Sequence, residues 1–425
     1  MNRIFQLFKI QDLRNKVLVV AFLLLSFRAL AVIPIPGIDA LRLKEILSSN
    51  QLLGFFNIFS GGALANLSIV MLGVAPYITA TIIMQLLTMI FPNLKAMYYE
   101  EGSIGRAKFN RYSRYLTVPL AAVQAYGFLN LLRSQGVVLG LDLPDLIRNV
   151  IIITAGSMIL VWIGELITEQ KLGNGVSLII FAGIVSRLPG DIRQLFFDYQ
   201  VGTLRIDTTL VFLLVAILVI AGVVFIQEGE RRVPVAYAKR VRGIKMYGGV
   251  SSYLPLKVNQ AGVIPIIFAV SILLFPQFVA QTAALVSPNL SITLNNIVSR
   301  FFNNQYFYSA VYFILVVIFT YFYTAVTFDP KEISKNMQRA GGFIAGIRPG
   351  DSTSEFLSKI ISRITLSGAL FLGLIAILPN ITQMITGITV LTIGGTALLI
   401  VVAVALETAR QINSQLILRE YEGFR

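Results

Sequence analysis

The sequence predicts an all-α polytopic membrane protein with ten transmembrane helices in two inverted five-helix halves, and three observations predict it. Hydrophobic residues make up 56% of the 425 residues and charged residues 13%, about half the charged share of soluble domains. Apolar runs recur from Val17 to Leu406 without a long polar insert. Lys and Arg cluster in alternate connections between those runs. Cys and His are absent, which excludes thiol chemistry, disulfides, haem ligation and imidazole metal sites.

A hydrocarbon layer of about 30 Å needs roughly 17 to 25 apolar residues at 1.5 Å per residue. Ten stretches read as spans: 17–33, 67–91, 115–132, 149–167, 173–188, 208–227, 259–283, 306–328, 364–379 and 388–406. The first follows Arg14 and Lys16 as a signal-peptide core would, but it lacks a small-residue cleavage site and runs into "PIPG", so it reads as a permanent span. The second is preceded by a stub, residues 57–66, rich in Ser, Gly, Ala and Asn and too short to cross. The fifth begins at "GNG", a turn and helix start without chemistry of its own. Residues 228–258 alternate apolar and polar residues in part and contain Gly248 and Gly249, the pattern of a basic hairpin turning at those glycines. Residues 329–363 form a second oversized loop containing "GIRPG". The ninth and tenth spans share one charge-free stretch, in which "PNITQMITG" (379–387) supplies turn residues.

Orientation follows from the cations. On the side of the N-terminus lie four before span 1, five between spans 2 and 3, one between 4 and 5, seven between 6 and 7, six between 8 and 9, and three after span 10, which is 26 of 35. The opposite side has eight, and Arg28 lies inside span 1. Both termini are therefore expected in the cytosol, and the net charge of +14 is mostly an orientation signal. Five crossings per half leave the halves, 1–200 and 201–425, in opposite orientations, the arithmetic of an inverted repeat. No residue-level repeat accompanies it.

Ion-coupled transporters carry ionisable groups in their bundles. Here Glu165 and Glu407 sit near cytosolic span ends, and Arg28 alone lies well inside, where snorkelling or pairing with a carbonyl explains it. The dipeptide Gly-Lys does not occur, so there is no Walker-type phosphate cradle. A passive conduit or scaffold, driven from outside, fits these absences. A secondary transporter of a small solute is the alternative, and would need a polar midplane cluster. A scaffold for other membrane proteins is a third class.

The segments "PIPGID" (34–39), "FNIFSGGALANLSI" (56–69), "APYITATIIMQLL" (75–87), "LGNGVSLIIFAGIV" (172–185), "LPLKVNQAGVIPIIFA" (254–269), "GIRPG" (346–350) and "IGGTALLIVVAVALE" (393–407) together resemble the SecY family, the pore subunits of the bacterial protein-conducting translocase. The resemblance runs through the chain in order. It implies a channel, not an enzyme, that passes unfolded secretory polypeptides outward and releases hydrophobic segments sideways into lipid. The stub would be a re-entrant plug helix at 56–67, with Asn57, Phe59, Ser60, Gly61, Gly62, Ala63, Leu64, Ala65, Asn66 and Leu67. Non-spanning backbone at membrane depth is tolerated only inside protein or a wet cavity, which fits a plug; an interfacial turn on the outer face is the other reading of the same composition.

The resemblance also implies a constriction ring of Val74, Ile78, Ile180, Ile267, Val279 and Ile400, most of them near mid-bilayer by helix rise; Val279 falls near a span end. Val74 and Val279 stand where Ile is usual in the family. It further implies a lateral gate between spans 2 and 7 with Gln85, Thr88, Asn259 and Gln260, polar groups that equally suit static interhelical bonds. Docking of the ribosome or of the motor ATPase SecA would use Arg240, Arg242, Lys245 and Arg348. SecE, SecG, signal sequences, nascent polypeptides and membrane lipid complete the implied partners. No cofactor or metal is expected, and the implied location is the bacterial inner membrane.

Overall fold

The structure is a computed structural model that describes residues 10–36, 60–64, 66–134, 142–201, 206–237, 240–242, 245–247, 251–283, 287–386 and 394–423. Fourteen helices and five short strands occur among them. In chain order these are α1 (Gln11–Leu30), α2 (Ala75–Ile90), α3 (Pro92–Tyr99), α4 (Gly102–Ser134), α5 (Leu143–Glu169), α6 (Gly175–Val185), α7 (Leu188–Gln200) and α8 (Ile206–Glu228). Strands β1 (Glu230–Tyr237), β2 (Arg240–Arg242), β3 (Lys245–Tyr247) and β4 (Ser251–Lys257) follow. Then come α9 (Ile264–Thr282), α10 (Pro288–Asn303), α11 (Gln305–Thr327), α12 (Pro330–Arg339), β5 (Gly342–Phe343), α13 (Asp351–Thr386) and α14 (Gly394–Gly423).

Each apolar stretch singled out in the sequence falls for most of its described length on helix. Among the described residues five helices are long and apolar enough to cross a membrane: Leu143–Glu169, Gly175–Gln194, Gln305–Arg339, Asp351–Leu378 and Ala397–Leu418. The pair Ala75–Ile90 and Pro92–Tyr98, bent by 116°, is a sixth if the two count as one broken span. The bend has a local cause: Phe91 precedes Pro92 and is extended at φ −104°, ψ 109°, because the proline ring disfavours the helical region for the residue before it. Leu214–Glu228 and Ile264–Gln277 are apolar but shorter. The chain is thus a mostly helical, multi-pass membrane protein. Leu18, Phe22 and Leu25 on α1, Ile151 and Trp162 on α5, and Leu366, Leu370 and Leu374 on α13 are exposed, as expected where the surrounding solvent is hydrocarbon.

Three boundaries differ from the sequence reading. Residues 67–74, expected in the second span, form turns, and α2 starts at Ala75 with Pro76 in its first turn, where a missing N–H costs nothing. Residues 259–263, expected in the seventh span, precede α9, which begins at Ile264 beside Pro265. The expected turn after span 9 is also displaced. α13 continues through Pro379 to Thr386, and its end is anchored to α11, where Asn380 donates through Nδ2 to Ser309 Oγ at 3.1 Å and its carbonyl accepts from Gln305 Nε2 at 3.3 Å.

The chain packs as two compact units, Met1–Val211 with Val270–Asn304 and Val404–Arg425, and Phe212–Ala269 with Gln305–Ala403. In the first, α1 packs on α5 and α6, α2 on α4, α4 on α5, and α5 on α6. The α6 start explains "GNG": the Asn174 side chain caps the helix by accepting from Val176 N and Ser177 N. A Cβ on Gly175 would lie 1.8 Å from the Gly164 carbonyl oxygen, so the α5–α6 turn closes only around glycine. Arg114 on α4 pairs with Glu165 on α5 at 3.0 Å, giving the one acidic residue in that helix interior a partner.

In the second unit, the two oversized loops are not separate loops. β1 and β4 pair antiparallel from Glu230↔Lys257 to Ala236↔Ser251, and β5 from the second loop pairs with the other edge of β1 through Ala236↔Phe343 and Tyr237↔Gly342. The sheet order is β4-β1-β5. β2 and β3 pair from Arg240↔Tyr247 to Arg242↔Lys245, so the hairpin reverses between Arg242 and Lys245, upstream of the expected turn. Gly248 and Gly249 lie outside the described residues. One face of this sheet, with Val233 and Leu256, packs with Ile344, Leu357, Ile360 and Ile361 into a buried cluster that Ile333, Met337 and Ile347 surround. Apolar spacings of three and four along α12 and α13 bring those residues to one side.

Leu357 is fully buried at the centre of that cluster. Leu357→Ala should destabilise it by about 2–5 kcal/mol and speed trypsin cleavage within 229–257 and 329–350 without changing cleavage in the first unit, as read by peptide mapping of the reconstituted protein.

Candidate functional site

The small-residue stub enters the interior of the first unit. Its described part, residues 60–64 with 66 and 67, forms turns in place of the expected helix; Phe56, Asn57, Phe59 and Ala65 lie outside the described residues. Ser60, Ala63, Leu64 and Leu67 are buried. Ser60 Oγ accepts from Leu64 N at 3.1 Å, Leu67 N donates to the Leu64 carbonyl at 2.9 Å, and Ser68 N donates to the Ala63 carbonyl at 3.0 Å. Residues just after α1 tie the stub down from the other side: Ile35 N bonds the Leu67 carbonyl at 2.8 Å, Ile69 N bonds the Ile33 carbonyl at 3.0 Å, and Asn66 Nδ2 donates to the Ala31 carbonyl at 3.3 Å. Irregular backbone is thus paired with irregular backbone, which supplies the hydrogen bonds that lipid cannot.

Gly61 meets two helices at once. A Cβ there would lie 2.6 Å from Cζ of Phe27 on α1 and 2.9 Å from Cα of Gly183 on α6, and Arg28 Nη1 donates to its carbonyl at 2.6 Å. The sequence left Arg28 between snorkelling and carbonyl pairing; the structure shows the pairing. It also brings in Gly183, which sequence reasoning passed over, since a glycine in an apolar helix carries no signal until its neighbour is known.

The aliphatic residues assigned to a constriction lie on several elements. In the first unit Val74 is the residue preceding α2, Ile78 sits one turn on with its N–H bonded to the Val74 carbonyl at 3.1 Å, and Ile180 is central in α6; all three are buried. Val279, near the end of α9, differs: it is 43% exposed. In the second unit Ile267, in the first turn of α9, and Ile400, in α14, are both buried.

The polar residues assigned to a gate find partners close at hand. Thr88 Oγ1 donates back to the Gln85 carbonyl of its own helix at 2.6 Å, while the Gln85 side-chain oxygen is buried without a partner among the described residues. Asn259 Nδ2 donates to Gln227 Oε1 at 3.3 Å and to the Gly262 carbonyl at 3.0 Å, which fastens the 258–263 connection to the end of α8. Gln260 is half-buried beside it.

Of the docking cations, Arg348 is exposed on a fixed turn: Thr353 Oγ1 donates to its carbonyl at 2.9 Å and Ser334 Oγ donates to the Gly350 carbonyl at 2.6 Å. Arg240, Arg242 and Lys245 are placed by backbone on the β2–β3 ribbon. None of the described His, Cys, Asp or Glu groups forms a cluster of three able to hold a metal ion.

The SecY family profile matches residues 68–409. The protein translocase subunit SecY of Corynebacterium glutamicum is 43% identical over 447 residues, covering 100% of this chain and 99% of the relative. That of Mycobacterium bovis is 41% identical over 439 residues, covering 97% of each, and that of Thermotoga maritima is 41% identical, covering 98% and 96%. Among solved structures, a protein-conducting channel superposes with a TM-score of 0.66 at 20% identity over 95% of this chain and 92% of its own. A structure of canine Sec61 in a ribosome-channel complex gives 0.63 at 19% over the same shares. A membrane protein with these apolar helices, a stub packed among them and full-length identity above two fifths to translocase subunits belongs to the SecY family of protein-conducting channel subunits of the Sec translocase.

Proposed function

We propose that the chain is a ten-span channel whose halves, 1–200 and 201–425, are an inverted repeat with both termini in the cytosol of a bacterial cell. It passes unfolded polypeptides outward across the inner membrane and releases hydrophobic segments sideways into lipid. One observation carries this reading: backbone that spans nothing, in the described part of residues 60–67, is hydrogen-bonded beside membrane helices with Ser60, Ala63, Leu64 and Leu67 buried, a few residues before the buried Val74 and Ile78. Such a segment serves as a plug, and the apolar residues beside it as a gasket. The ring of Val74, Ile78, Ile180, Ile267, Val279 and Ile400 would dewet when closed and yield around a passing chain without binding it.

The gate reading rests on Gln85, Thr88, Asn259 and Gln260, short polar groups that can re-form weak bonds of about 0.6 kcal/mol. Arg348 lies exposed on a hydrogen-bonded turn and Arg240, Arg242 and Lys245 lie on the paired β2–β3 ribbon rather than on slack loops, which suits docking of a motor such as SecA or of ribosomal RNA phosphates. Backbone already paired in this way has less ordering entropy to lose on binding. SecE and SecG would be its membrane companions, and signal sequences its cargo.

Deleting residues 57–66 from the reconstituted complex should raise resting ion conductance several-fold in planar bilayers; an unchanged leak would count against the plug. Arg348→Glu should reduce motor-driven export of a secretory precursor by about tenfold, the loss that one charge-assisted contact implies, while insertion of the channel itself into membranes stays unchanged. A stalled secretory chain should photocrosslink to Val74, Ile78 and Ile400 positions, whereas a small-solute transporter would leave all three unlabelled.

A further inference from the structure

The stub is held by one charged side chain whose role neither the composition nor the family likeness supplies. Arg28 lies in the last turn of α1, where its guanidinium could have served the helix's own terminal carbonyls. It reaches instead to the Gly61 carbonyl, 33 residues away, at 2.6 Å. Its Cζ lies 5.8 Å from the Phe27 ring centroid, and the same ring packs on Gly61. Bonds from an ionised donor are shorter and stronger than neutral ones, and a guanidinium in an apolar helix is costly once its acceptor leaves.

Backbone geometry makes the grip specific. Gly61 has φ +68°, a left-handed conformation that favours glycine, and this conformation belongs to the residue whose carbonyl Arg28 holds. A Cβ on Gly183 would lie 2.1 Å from Gly61 Cα, so α6 seats the stub together with Phe27. The next residue, Gly62, faces the alkyl stem of Arg187, whose Nη1 is buried without a hydrogen-bond partner among the described residues. One guanidinium is therefore committed to a backbone oxygen of the stub, and the alkyl stem of a second arginine lies against the next residue.

We propose that Arg28 is a positioning residue that latches segment 60–64 in its seat and so sets how readily the resting channel opens. The proposal rests on the plug reading above. Displacing the segment breaks the Arg28–Gly61 bond, lifts Gly61 off Phe27 and Gly183, and leaves the Arg28 charge in an apolar helix until water or cargo solvates it. Opening is thereby opposed by a local electrostatic contact as well as by apolar packing.

The chain has no cysteine, so Ser60→Cys places a single thiol on the buried stub. In proteoliposomes holding the complete translocase, a water-soluble maleimide should label this thiol slowly. Adding Arg28→Met should raise the rate by about tenfold or more, as loss of one charge-assisted bond implies, and raise resting ion leak in parallel; Arg28→Lys, which keeps a charged donor, should give an intermediate rate. A second single-cysteine reporter, Ser113→Cys, buried on α4, should stay unreactive in both backgrounds. Unchanged labelling at position 60 in both Arg28 variants overturns the latch, as does a parallel rise at position 113, which would report general loosening. Deletion of 57–66 separates the two readings: no added leak removes the plug itself, whereas added leak with Arg28 variants that behave like the parent removes the latch alone.

Discussion

Backbone N–H and C=O groups that leave a helix inside a bilayer must find partners in the protein, because lipid offers none. The stretch from Ser60 to Val74 meets this constraint by pairing with the chain that leaves α1: Ile33 and Ile35 exchange hydrogen bonds with Ile69 and Leu67, and Asn66 reaches Ala31. Without that exchange the stub would carry unsatisfied groups worth several kcal/mol each. The depth of the stub, the start of α2 at Ala75 and the position of Val74 and Ile78 all follow from it.

A segment proposed to fill a conduit has to be both held and releasable. Its apolar contacts combine backbone and small residues, with Gly61 against Gly183 and Ala63 buried, with the larger buried side chains of Leu64 and Leu67. Its strongest single contact is polar and point-like, the bond from Arg28 to the Gly61 carbonyl. Such contacts lose strength steeply with distance and are replaceable by water, whereas broad apolar packing yields gradually. The residues proposed for the ring would complement this arrangement, being aliphatic and without polar groups that would bind cargo.

The basic loops show a different solution on the aqueous side. A solvated loop bearing several cations would lose entropy on meeting a partner. Here β5 pairs with β1, and Leu357, Ile360 and Ile361 on the extension of α13 close over Val233 and Leu256, so one small core fixes both loops. The turn carrying Arg348 is held through its carbonyl by Thr353, which leaves the side chain free of structural duty.

The membrane class, the positions of most apolar helices and the helix start at "GNG" were legible in residue order, because burial in hydrocarbon imposes length and composition locally. The apolar periodicity of Ile333, Met337, Ile344, Ile347, Leu357 and Ile360 also carried a readable signal that residues 329–363 fold. Chain order alone could not reveal that Arg28 meets Gly61, that Gly183 seats it, that Asn259 is tied to Gln227, or that β5 completes the sheet of the other loop. Those pairings join residues about 30 to over 100 positions apart, and apart from the Asn259–Gln227 side-chain bond they run through backbone groups and missing Cβ atoms, which have no side-chain signature. Only the packed chain decides which carbonyl an arginine reaches.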